Sequence, residues 1–203
     1  MKQVTLFGII LLATSLSFAA PAKNETISTE KKTILGSGSS SSLKGFSFLG
    51  LFNMADSMSF SGAGGSSTAT IDKGFGFGLL FQTKQFSPGE FAQFGANYEM
   101  ERGIQNTSVK LTDIVASGEM GFQMTQDFVI TAGLNYNFPS ATNLNGASIK
   151  GKMGYQFGGS IMASKDLAID VRFRNNEYEV SGNGQTATGK LSGLFLNVRY
   201  VLN

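Results

Sequence analysis

The residues in this chain that could do chemistry are ionic. They fall at alternating positions: Asp170, Arg172 and Arg174 in "AIDVRFRNN", Arg199 in "LNVRYVL", Glu99 in "NYEME" and Glu119 in "SGEMGF". Carboxylates facing guanidinium groups can neutralise one another, guide an ion, or carry general acid–base work. The rest of the repertoire is missing, because the chain has no His and no Cys. Without imidazole the usual base of nucleophilic triads is gone, and without imidazole or thiolate most zinc sites are gone as well. The sequence therefore points to no catalytic residue, no metal ligand and no cofactor. The expected reading is a protein that is not an enzyme.

Alternation at the charges reflects alternation everywhere. "SPGEFAQFGANYEME", "MTQDFVITAGLNYNF" and "ASKDLAIDVRFRNNE" each open on a polar turn with an acid, at Glu90, Asp127 and Asp166, and then alternate apolar with polar. Period two is the signature of a strand. Eight strands are predicted, at 44–53, 74–84, 91–102, 109–124, 128–138, 149–163, 167–175 and 190–202. "SPGE", "TQD" and "SKD" are tight turns, whereas 54–73 and 176–189, rich in Gly, Ser and Thr, are expected to be long loops. Short connections at one end and long ones at the other are the plan of a transmembrane barrel, with periplasmic turns and extracellular loops. The predicted fold is all-β: an eight-stranded antiparallel up-and-down transmembrane β-barrel.

Charge decides which face is wet. Glu99, Glu119, Asp170, Arg172, Arg174 and Arg199 share their faces with glycines such as Gly76, Gly78 and Gly121, as suits a narrow interior. Facing lipid, Arg172 and Arg174 would each cost about 2–4 kcal/mol. The opposite faces, with Phe75, Phe77, Leu79 and Phe81 in one strand and Leu194, Leu196, Val198, Tyr200 and Leu202 in another, suit a bilayer. The six charges are thus expected to form a lumen ion-pair network, structural or gating. Glu119 and Arg172 fall at similar depth, as do Asp170 and Arg199 on adjacent strands.

The turns "T-x-D" and "S-x-D" leading into alternating strands, with an alternating last strand, resemble the OmpA/OmpX-like outer-membrane β-barrel family. The resemblance implies insertion by the barrel machinery and residence in the bacterial outer membrane. That family usually ends on an aromatic residue, whereas this chain ends "VRYVLN", so Asn203 departs from the pattern. Some eight-stranded outer-membrane barrels modify lipids, and the resemblance implies a catalytic His for that work, which this chain lacks.

Other features fit export. Lys2 precedes the apolar run "VTLFGIILLATSL", and Ser17 and Ala19 have the small-residue spacing of a signal-peptidase site. Residues 1–19 are read as a signal peptide, with Ala22 an alternative cleavage point. Residues 20–42 are read as a flexible periplasmic segment ending in a Gly/Ser run, and 43–203 as the barrel. "KGFGFGLL" at Lys73 alternates Gly with Phe inside a strand and so is no phosphate loop. A net charge of +2 without a basic block gives no reason to expect nucleic acid. Expected partners are outer-membrane lipid, the insertion machinery and a surface ligand at the loops. Two functions fit: a structural or surface-interaction barrel, or a small channel for ions or small apolar molecules.

Overall fold

The computed structural model describes residues 43–202, apart from 56, 64, 145 and 183. The signal peptide (1–19), the segment 20–42 and Asn203 lie outside the described residues. The strands are β1 (Gly45–Asn53), β2 (Ser57–Gly62), β3 (Gly65–Thr70), β4 (Gly74–Gln82), β5 (Glu90–Gly103), β6 (Lys110–Gln123), β7 (Phe128–Thr142), β8 (Ser148–Gly151), β9 (Met153–Met162), β10 (Leu167–Gly182) and β11 (Gln185–Leu202). Antiparallel pairing runs β1-β4-β5-β6-β7-β9-β10-β11, and β11 returns to β1. Eight strands close a ring, so its backbone has no free edge.

The outer wall is apolar. On β7, Phe128, Ile130, Leu134, Tyr136 and Phe138 are all exposed, while Val129, Thr131, Asn135 and Asn137 between them are buried. From Phe128 to Phe138 the strand rises roughly 33 Å, or about 25 Å once tilted, the height of a membrane-barrel apolar band. On β1, β4 and β5 the band continues through contacts such as Phe46 with Phe81 and Phe77 with Tyr98, ring centroids 5.0 and 5.4 Å apart. On β10 the band stops above Phe173. The outward positions then become Glu177 and Glu179, paired with Lys190 at 3.2 Å and Lys152 at 3.9 Å. An apolar exterior around a polar interior defines a transmembrane β-barrel.

The tight turns meet at one end. Thr125 Oγ1 accepts from the amides of Asp127 and Phe128 (3.3 and 3.1 Å), which closes the turn between β6 and β7. The amide of Ala163 donates to Leu167 O (2.9 Å) in the turn between β9 and β10.

The other end corrects the expected long loops. Within 54–73, β2 and β3 form a hairpin, and β2 pairs with β11 from Met58↔Leu191 to Gly62↔Ala187. Likewise 176–189 is mostly ladder, because β10 and β11 pair without a break up to Gly182↔Gln185. Ser- and Gly-rich segments have weak intrinsic strand signals, and here pairing with a neighbouring strand supplies the order. The strand expected at 149–163 is divided into β8 and β9 around Lys152, whose amide donates to Glu177 O (2.9 Å). Pairing slips by one residue there, since Asn175 faces Tyr155 but Tyr178 faces Gly151.

Candidate functional site: a charge-paired lumen

Inward positions of β10 form a ladder of Asp170, Arg172, Arg174, Asn176 and Tyr178, because every second residue of a strand points the same way. All five are buried. At the level nearest the tight turns, Arg199 on β11 reaches Asp170 Oδ1 (2.9 Å) and Ser160 Oγ (2.8 Å). One level higher, Arg172 Nη1 meets Glu119 Oε1 on β6 at 2.6 Å, and its Nη2 lies 3.5 Å from Asp170 Oδ2. Gln156 Nε2 also donates to Glu119 Oε1, while Gln156 Oε1 accepts from Arg174 Nε at 3.0 Å.

Higher again, Arg174 Nη1 reaches Glu99 Oε1 on β5 at 2.5 Å, and its guanidinium lies 4.3 Å from the centre of the Phe195 ring. Glu99 has further partners. Its Oε2 accepts from Arg102 Nη2 (3.1 Å) and from Asn53 Nδ2 (3.1 Å). Near the top of the polar layer, Tyr178 donates its hydroxyl proton to Asp113 Oδ2 at 2.6 Å. All six sequence-predicted residues thus lie in one interior layer and are linked pairwise.

Arg102 and Asp113 also belong to this layer and were not among the predicted site residues. Arg102 sits three residues after Glu99, where strict alternation would turn it outward. The register between β5 and β6 shifts between Glu99 and Arg102, leaving Met100 and Glu101 both exposed and returning Arg102 to the interior. Gly74 on β4 makes room for it, since a Cβ there would overlap the Arg102 side chain. No sequence signal marks that bulge. Asp113, by contrast, has the same parity as Glu119 on β6, so period two alone could have found it.

Among the described residues, with Arg102 and Asp113 included, the buried charges are four acids, Glu99, Asp113, Glu119 and Asp170, and four arginines, Arg102, Arg172, Arg174 and Arg199. The interior balances formally. Several polar atoms in the layer, the Nε atoms of Arg172 and Arg199 among them, find no partner among the described residues, and interior positions of that kind are where ordered water sits. Apolar clusters lie at both ends of the polar layer. Leu43, Phe91, Val129, Ala168 and Val201 pack at the turn end, and Ala55, Met58, Ile71, Leu111, Tyr178 and Leu191 at the hairpin end. Among the described residues, no group of His, Cys, Asp or Glu is arranged to hold a metal ion.

Fold and lumen together define a small membrane-spanning barrel with a packed, charge-paired interior. The chain is similar in fold to several solved outer-membrane barrel proteins. The outer membrane protein OprG of Pseudomonas aeruginosa is 12% identical over 78% of this chain and 97% of its own, with a TM-score of 0.47. Neisserial surface protein A is 19% identical over 81% and 100%, TM-score 0.46. Ail, the attachment invasion locus protein of Yersinia pestis, is 11% identical over 77% and 99%, TM-score 0.43. No family model matches the sequence, and no curated protein matches it.

Proposed function

We propose that this protein is an integral barrel of the bacterial outer membrane, sealed along its axis, whose role is structural or surface-interacting rather than conducting. The observation that carries the reading is the Arg174–Glu99 pair at 2.5 Å, which joins strands on opposite walls of the ring. An open aqueous path would have to break it. The apolar clusters at both ends favour the same conclusion, because passing an ion against apolar side chains strips its hydration at a high cost. The hairpins β2–β3 and β10–β11, the latter carrying the Glu177–Lys190 pair, are taken to stand outside the cell and the tight turns in the periplasm, as in other outer-membrane barrels. The motif resemblance to the OmpA/OmpX-like barrels fits this orientation. The reading assigns no reaction to the chain.

Purified protein in a planar lipid bilayer tests it. The expected record is flat; steady unitary conductance steps would replace the sealed barrel with the small channel. Recovery in the soluble periplasm without detergent would reject the membrane assignment itself.

A further inference from the structure

At the hairpin end, above the Tyr178–Asp113 hydrogen bond, the barrel mouth contains a recess of about 240 Å³. Its lining includes Met58, Ile104, Leu111, Leu144, Ile149 and Val180, contributed by β2, the β5–β6 connection, β6, the β7–β8 connection, β8 and β10. Thr107 supplies a hydroxyl to the lining, but its Oγ1 is engaged within its own turn, donating to Ile104 O (2.7 Å) and accepting from the Val109 amide (3.1 Å). A polar ligand would therefore lose its hydration there and find no side-chain partner, at a cost of a few kcal/mol per polar group.

The walls are tied to one another. Asn143 Nδ2 donates to Ser108 O (2.8 Å), joining the β7–β8 and β5–β6 connections, and the Gln105 amide donates to Thr70 O (2.9 Å), joining the latter to β3. Leu111 and Met58, both buried, separate the recess from the ionic layer. Barrel mouths lined by apolar side chains are common ligand sites. A dry apolar cavity of about 150 Å³ already holds benzene, so this one has space for a larger molecule.

We infer that the recess is a binding site for an uncharged apolar small molecule, ring or short chain, captured at the outer mouth of the barrel. The site stands whether or not the lumen below conducts.

The test uses full-length mature protein, labelled with 13C at the methionine methyls, refolded in lipid nanodiscs and titrated with naphthalene. The Met58 methyl should shift along a saturating curve. The methyls of Met120 and Met153, which face lipid, should shift in proportion to the probe dissolved in the bilayer. Ala141→Leu and Ala69→Phe, which add volume at the lining, should each abolish saturation at Met58; two variants are used so that one reads out if the other fails to refold. A Met58 response proportional to that of Met120, or a saturating one unchanged by cavity filling, would overturn the assignment.

Discussion

Arg174 on β10 and Glu99 on β5 stand four strands apart in either direction around an eight-stranded ring, and their side chains meet at 2.5 Å. The span is made by a long side chain from one wall and bare backbone on the other: β4, next to β5, places Gly74, Gly76 and Gly78 inward. A Cβ at Gly78 would overlap the Asn97 side chain, so the space on that wall is already taken up. Large cations opposite small residues let a narrow barrel fill itself without leaving a pore.

Glu99 accepts from two arginines whereas Arg174 has Gln156 and the Phe195 ring in addition to Glu99, so the two deletions should differ. Glu99→Gln leaves two buried cations facing each other and should cost about 3–5 kcal/mol in urea unfolding from lipid vesicles. Arg174→Met leaves Glu99 still paired with Arg102, and should cost about 1.5–3 kcal/mol, the worth of a charged hydrogen bond. The reverse order would mean that Arg174, not Glu99, is the hub of the layer.

The position of the lipid band is testable on one strand. Leu134 and Ser140 are both exposed on the outer face of β7, roughly 20 Å apart along the strand. Leu134→Arg should destabilise the folded barrel by about 2–4 kcal/mol and Ser140→Arg by about 0–1, since the cost of lipid-facing charge falls toward the interface. Equal effects in a vesicle-refolding titration would show that the band is misplaced.

How much of this was legible depended on whether period two survived. The ring strands were readable because one face met lipid and the other a charged interior, so a register error would have turned every side chain to the wrong medium. Glu119, Arg172 and the rest of the predicted layer followed from that parity. Arg102 did not, because a bulge is a local insertion that leaves no composition mark. The β2–β3 hairpin was illegible for a different reason: Ser57–Gly62 has only Met58 and Phe60 to show a face, and its pairing partner on β11 is more than 100 residues away in sequence.

The tight interior can be probed at Gly121, where a Cβ would overlap the ring of buried Phe91 on the adjacent strand. Gly121→Ala should cost about 1–3 kcal/mol through overpacking. Phe91→Leu removes the ring and should restore much of that loss when combined with Gly121→Ala, although alone it should be mildly destabilising. Additive losses in the double variant, measured by the same unfolding assay, would place the strain elsewhere.

The hairpin end should be a separable cooperative unit. Met58 is buried among Ile71, Leu111, Tyr178 and Leu191, and these contacts anchor β2 against β11 above the membrane band. Met58→Ala should remove about 2 kcal/mol or more of local packing, which corresponds to roughly 30-fold faster amide exchange where opening is local. The affected amides should be those of β2 and of residues 187–191. Those of β6 and β7 in the membrane band should keep their protection, because their ladder partners do not involve the hairpin. Faster exchange spread evenly over all strands would show instead that the hairpin and the ring open as one.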